Sequence, residues 1–256
     1  MVEGTFTHAT GNETGITVNG TPALVYEGQF VANHVPLVEG ENTIIVTATD
    51  NQGYTATAEI IVYAQIPADY IRITADTQSG VSPFETKLKV ESTFSFVQES
   101  TITDTGPDEL DYLDNLGDGR YNIGMTAPGI YYLSAEATDG EAHVYTDTIA
   151  LLVMDLAAMD ARLREKWNGM RQALIAGNFE NAVSFIKSNR RAAYDEVFRA
   201  IPADQLVNLI PGGDHIELVD ILDVKARYVA DIDILVNGQP TTISSYIIFV
   251  HDTDGV

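Results

Sequence analysis

The chain's densest set of potential ligand oxygens is the acidic stretch Asp104, Asp108, Glu109, Asp111, Asp114 and Asp118. Carboxylates combined with carbonyl oxygens suit calcium, which takes about 6–8 oxygen ligands. The spacing does not follow the loop pattern D-x-[DN]-x-[DN]-G, so no coordination geometry is specified, and a solvated acidic loop is the plainer expectation. Calcium through Asp104, Asp108, Asp111, Asp114 and Asp118 is the one cofactor the residues suggest; otherwise none is expected. Asp50-Asn51-Gln52-Gly53 and Asp139-Gly140 are also oxygen-rich, but Asp and Asn before Gly are what tight turns select. His8, His34, His143, His215 and His251 stand far apart, without zinc-ligand spacing. Zero cysteines exclude a disulfide framework, a thiol nucleophile and a thiolate metal site. With no G-x-S-x-G elbow, Walker loop or dinucleotide fingerprint, no catalytic residue is expected.

The elements that would position such residues fall into three zones of the 256-residue chain. Residues 1–65 carry seven acidic side chains and no Lys or Arg, residues 66–154 fifteen acids against four bases, and residues 155–256 fifteen against ten. A net charge of -23 opposes binding to nucleic acid or to anionic lipid, where affinity comes from neutralising phosphates. No apolar run reaches the roughly 20 residues a spanning helix needs. The start, Met1-Val2-Glu3-Gly4, lacks a signal peptide's profile, so an exported form would have lost its targeting segment.

In residues 1–65 short period-two runs alternate with turns at Asn19-Gly20, Glu27-Gly28, Glu39-Gly40 and Asn51-Gln52-Gly53. Ile44, Val46 and Ala48, then Ala56, Ala58, Ile60 and Val62, predict strands with one face inside and one wet. From Gly15 to Val62, on VNG, the strand start at Gly28-Gln29-Phe30, VPLVEGENTI and ATDNQG, the chain resembles the bacterial immunoglobulin-like modules related to domain B of glucodextranase. Those modules are non-catalytic parts of exported proteins, which implies an extracytoplasmic setting: cell surface, periplasm or medium.

Residues 66–154 enter through Ile66-Pro67-Ala68, where proline breaks the strand pattern as a short linker would. TADTQSGVSPFETKLKV (74–90) and APGIYYLSAEATDG (127–140) resemble the opening and closing strands of a polycystic-kidney-disease (PKD) domain. That family's WDFGDG stretch is absent, with Gly117-Asp118-Gly119 a remnant; another immunoglobulin-like sandwich is the alternative.

From Asp155 the period lengthens. Leu156, Met159, Leu163, Trp167, Met170 and Leu174 line one helix stripe, Gly177 can end that helix, and Asn178 can cap a second bearing Phe179, Ala182, Val183 and Ile186. A third, from Ser188 or Asn189, turns Tyr194, Val197, Phe198 and Ile201 inward before Pro202. After Pro211-Gly212-Gly213, residues 216–222, 226–236 and 241–250 read as strands, the last two joined by Asn237-Gly238. Helices followed by a segregated antiparallel sheet predict an α+β domain over 155–256.

The Trp-bearing helix, the junction Ala176-Gly177-Asn178-Phe179-Glu180-Asn181-Ala182 and YIIFVHDTDG make residues 157–255 similar to the nuclear transport factor 2-like, or SnoaL-like, cone fold. In that family a further strand follows the Asp-Gly turn; here the sequence stops at Val256, so either it is truncated there or the fold closes differently. The resemblance implies a concavity between helix and sheet, for which Trp167, Tyr194, Tyr228 and Tyr246 are the ligand-pocket candidates, with Asp231 and Asp233 as acids. Asp231 and Asp233 share a strand face opposite Ile232 and Ile234, which reads as an apolar face in and an acidic face out. The resemblance also allows a homodimer through this domain. Lys187, Arg190, Arg191 and Arg199, the one local positive excess, could dock an acidic partner, against an ordinary helix surface as the plainer expectation.

The fold class expected is therefore multidomain: two all-β immunoglobulin-like sandwiches, then helices on a curved antiparallel sheet. The expected function is non-enzymatic, with spacers presenting an α+β binding or assembly domain to a protein or glycan at the cell surface. One alternative is a carbohydrate-binding accessory region stacking sugars on Tyr54, Phe30, Tyr131, Tyr132 or Tyr145. Because Tyr131 and Tyr132 are adjacent in a strand, one of them must point outward. The other alternative is a small-molecule enzyme using the cone pocket.

Overall fold

In the first part of the chain, alternating polar and apolar side chains set one row of the central strands against a facing sheet. The computed structural model describes residues 1–8, 13–50, 53–95, 100–202, 205, 209–222, 225–236 and 239–250, excluding the side chains of 222, 233–236 and 240. The turns expected at Asn51-Gln52 and Asn237-Gly238, the side chain of Asp233, His251 and the chain end lie outside these. Two compact units emerge, Met1–Asp155 and Leu156–Asp252.

The first unit begins with β1 (Val2–Thr5), β2 (Thr14–Val18), β3 (Thr21–Pro22), β4 (Leu24–Tyr26), β5 (Gln29–Ala32), β6 (Gly40–Asp50) and β7 (Thr55–Ala64). They form two sheets, β1-β5-β4 and β3-β2-β6-β7. Ile16, Val18 and Ile44 of the larger sheet close on Phe30 and Ala32 of the smaller, with Val2 and Val25 at the margin. At Asn19-Gly20 both φ angles are positive (48° and 79°), the conformation a tight hairpin requires. The Asn19 carboxamide also takes the Ile45 N–H at 2.8 Å and reaches the Thr43 carbonyl at 3.2 Å, tying the turn to β6.

The unit continues through β8 (Ile71–Ala75), β9 (Ser79–Val81), β10 (Phe84–Ser92), β11 (Thr101–Thr105), β12 (Tyr112–Gly117), β13 (Arg120–Met125), β14 (Gly129–Thr138) and β15 (Val144–Met154). Their sheets are β12-β13-β10-β8 and β11-β14-β15-β9, with β9 parallel to β15. In β10, Phe84, Thr86, Leu88 and Val90 point in while Glu85, Lys87, Lys89 and Glu91 point out. The inward row meets Tyr131, Leu133, Ala135, Ile149, Leu151 and Val153 of the facing sheet in one core, which makes this a β-sandwich.

The second unit holds α1 (Leu156–Ile175), α2 (Phe179–Ser184), α3 (Arg191–Ala200), β16 (Ile216–Leu222), β17 (Lys225–Val236) and β18 (Gln239–Val250), the strands in the order β16-β17-β18. Gly177 at φ +69° ends α1, and Asn178 caps α2 by accepting the Asn181 N–H at 3.1 Å. Met170, Ala173, Leu174, Ala182 and Phe198 bury the helices against one another. Two residues of the expected inward row of α3 differ: Tyr194 and Val197 are 44% and 52% exposed. A ten-residue helix that meets its neighbours along one narrow edge buries Phe198 and leaves the adjacent positions to water.

Candidate functional site

The most heavily constructed polar site lies where the two sandwiches meet. From Ile149 to Met154, β15 is apolar on both faces. Ile149, Leu151 and Val153 enter the second sandwich's core, while Ala150 and Leu152 point the other way, with Ile130 of β14, onto Val31 of β5. Leu24, Tyr26, Tyr132 and Met154 flank that second contact. The smaller sheet of the first sandwich thus packs its outer face on the outer face of β14 and β15, and three apolar layers run through four sheets.

The turn after β5 then supplies hydrogen bonds. Asn33 is buried; its amide donates to the Ala150 carbonyl at 2.8 Å and to Gln78 Oε1 at 3.0 Å, and its oxygen accepts the Ala150 N–H at 2.8 Å. β9 reaches β15 only from Leu152 onward, so the Asn33 carboxamide stands in for a missing strand partner one step earlier. Next to it, His34, at φ 45°, directs Nε2 to Asp147 Oδ2 at 2.9 Å. A carboxylate only accepts, so Nε2 carries the proton. The same oxygen accepts the Ile73 N–H of β8 at 2.9 Å. Burial pushes the Asp147 carboxyl up, but the bonds from His34 and from the Ile73 amide outweigh it and hold its pKa below the ordinary carboxylate range. At the rim, the Tyr132 hydroxyl donates to Glu3 at 3.1 Å; burial first, and this bond second, raise the phenol's pKa. With His34 and Tyr132 each bonded to a carboxylate at its edge and a filled apolar centre, the junction can hold the sandwiches in one orientation.

The acidic stretch does not converge. Asp104 sits in β11 on one sheet and Asp114 in β12 on the other. Asp118, at the β12–β13 turn, lies 3.4 Å from Arg120, Asp108 accepts the Glu109 N–H at 2.9 Å, and Asp111 accepts the Thr126 hydroxyl at 3.2 Å. Part of the expected loop is strand, and pairing into opposite sheets separates the carboxylates; among the described residues no group of three or more His, Asp or Glu could hold a metal ion. Asp139 keeps a turn role. Burial would raise its pKa, but the His143 N–H and ring, the Glu141 N–H and the Tyr145 hydroxyl bring it to about 2.

The four pocket candidates do not line one space. Trp167 packs with Leu163 against Ile216, Ala226 and Tyr228, and its indole N–H donates to the Pro211 carbonyl at 2.8 Å. Tyr228 is fully buried, donates to Asp160 at 2.7 Å, and has its pKa raised by burial and by that bond. Asp160 also accepts both bonds of the Arg164 Nε, at 2.9 and 3.0 Å, while Arg164 reaches the Gly213 carbonyl at 2.6 Å. Side chains therefore fill the space between α1 and the sheet at this point. Tyr194 and Tyr246 are exposed elsewhere, Tyr246 under the Arg227 guanidinium at 5.5 Å. Asp231 is exposed and accepts from Ser244 at 2.7 Å. In the cationic stretch, Arg199 is paired with Asp195 at 2.9 Å and lies over the Phe179 ring, and Arg191 donates to the Ile186 carbonyl. Of the proposed sugar-stacking aromatics, Phe30 and Tyr131 are core, Tyr132 points outward into the junction, Tyr145 packs on Phe94, and Tyr54 is exposed.

Asn33, Gln78 and Asp147 were not singled out by the sequence reading, and His34 entered it only as one of five histidines without zinc-ligand spacing. The available signal was a polar pair, Asn33-His34, inside the apolar run from Phe30 to Val35, together with the unbroken apolar run Ile149–Met154, which period-two patterning with one wet face does not produce.

No protein-family model and no curated protein matches the chain. Solved structures do. The EC3-6 region of protocadherin gammaB7 aligns at 14% identity over 57% of this chain and 41% of that one, with a TM-score of 0.28. Invasin, a bacterial integrin-binding protein, aligns at 16% over 60% and 35%, TM-score 0.24. The fibronectin(III)-like modules of Clostridium thermocellum CbhA align at 11% over 56% and 78%, TM-score 0.25. The chain thus spans less than half of the protocadherin chain it matches. At such scores these remain likenesses, and the sandwich assignment rests on the paired sheets and their shared cores.

Proposed function

We propose that the chain belongs to a non-enzymatic exported or cell-surface protein in which the two sandwiches act as a single stiff arm, bearing the unit 156–252 as a binding or assembly element. The observation that carries this is the buried Asn33–Ala150 pairing set in the apolar layer of Val31, Ile130, Ala150 and Leu152. A swivelling spacer has no use for a desolvated joint, whereas an arm that must fix an orientation does. The module resemblances, to glucodextranase domain B, PKD and the cone fold, belong to the same reading and favour an extracytoplasmic setting. The filling of the space around Trp167 and Tyr228 supports the non-enzymatic part of the reading, because it leaves no room there for a substrate. Brief protease treatment of intact source cells should release peptides from residues 1–155; their recovery only after lysis would contradict the surface assignment.

A further inference from the structure

The first sandwich leaves one long strand with a bare edge. β7 ends the sheet β3-β2-β6-β7, and among the described residues no strand pairs with its outer side. Backbone direction follows from β6. Asn19 takes both hydrogen-bonding groups of Ile45, accepting its N–H at 2.8 Å through the side chain and donating to its carbonyl at 2.9 Å from the backbone. Ile45 faces Glu59, so Glu59 turns its N–H and C=O away from β6, and by alternation so do Thr57, Ile61 and Tyr63. Ile60 pairs with buried Ile44 and therefore sits on the core side, yet it is 58% exposed, because the facing sheet has three strands of three or four residues each. Ile61 and Tyr63, on the other face, are exposed as well. The usual protections of an edge are missing: β7 has no Lys, no Pro and no register shift, and Glu59 is its sole charge.

We propose that β7 pairs antiparallel with β7 of a second copy, Ile60 opposite Ile60, joining two four-stranded sheets across a two-fold axis. The outward groups of Thr57, Glu59, Ile61 and Tyr63 are symmetric about Ile60, so an identical strand is their full complement, and charge selects the approach and the register. Residues 1–65 are acidic without a single Lys or Arg, so two copies repel over most of this sandwich and can approach along its near-neutral strip. Centring the pair on Glu59 would set two carboxylates face to face. Centring it on Ile60 sets Glu59 against Ile61 and Thr57 against Tyr63, satisfies the outward N–H and C=O groups of all four, and lets the two Ile60 side chains cover each other on the face the small sheet leaves open.

The chain's lack of cysteine makes the test direct. In this register residue 60 faces its own copy in a non-hydrogen-bonded pair with Cα atoms about 4.5 Å apart, within disulfide range. Ala58, on the same exposed row, faces Val62 instead. Full-length Ile60→Cys should crosslink to a dimer under mild oxidation on the order of tenfold or more faster than Ala58→Cys, from the effective concentration of a pre-paired site. The unmodified chain should sediment as a reversible dimer that strengthens with salt. Thr57→Pro, which removes an N–H aimed at the second copy and none aimed at β6, should leave a monomer with unchanged circular dichroism. Equal crosslinking of the two cysteine variants, or a dimer that survives Thr57→Pro, would overturn the proposal.

Discussion

Asn33 contributes more to the first unit than one surface amide would, because both of its ends are spent on the backbone of another sandwich. Replacing it with alanine strands the Ala150 N–H and C=O in a desolvated place, which costs about 1–3 kcal/mol. Chemical denaturation of Asn33→Ala should show that loss, while Asn115→Ala, at an exposed position of β12, should stay within about 0.5 kcal/mol of the parent. The residue identities that mattered here were visible, but their partners were not. A polar pair inside an apolar run reports that something must satisfy it, and only the fold shows that the partner is 117 positions away. The acidic stretch illustrates the reverse. Its density along the chain allowed a ligand cluster beside the plainer solvated loop, and strand pairing sets Asp104 and Asp114 on opposite sheets.

At the scale of elements, β15 decides how the sandwiches relate. Leu151 and Leu152 are neighbours on opposite faces, one in the second sandwich's own core and the other in the layer shared with the first. Each changed to alanine should cost about 2–5 kcal/mol by thermal or chemical unfolding. On a string of independent sandwiches Leu152 would face water and its loss would be nearly neutral, so the ratio of the two effects measures the contact. The strands themselves were readable: Ile44, Val46 and Ala48 lie in β6, and Ala56, Ala58, Ile60 and Val62 in β7, as their alternation requires. Which faces are wet was not readable. Period two says that two rows of side chains exist, but what lies across from each row is a tertiary fact. Hence Tyr132, the outward one of the adjacent pair Tyr131-Tyr132, packs in the junction, and Ile60, on the core side, faces water.

For the whole molecule, the account depends on residues 1–155 moving as one body, a property that short linkers alone do not confer. Ile66-Pro67-Ala68 reads as a short linker, and what favours a single body beyond it is the shared apolar layer and the buried carboxamide. The absence of cysteine allows two spin labels to be placed without background, at Glu41→Cys on the first sandwich and Lys89→Cys on the second, both exposed strand positions. Pulsed electron–electron double resonance on doubly labelled full chain diluted into an excess of unlabelled chain, which removes distances between copies, should give one narrow interlabel distance, unchanged from low to moderate salt. A broad or multiply peaked distribution would show the sandwiches reorienting freely and would contradict the single stiff arm.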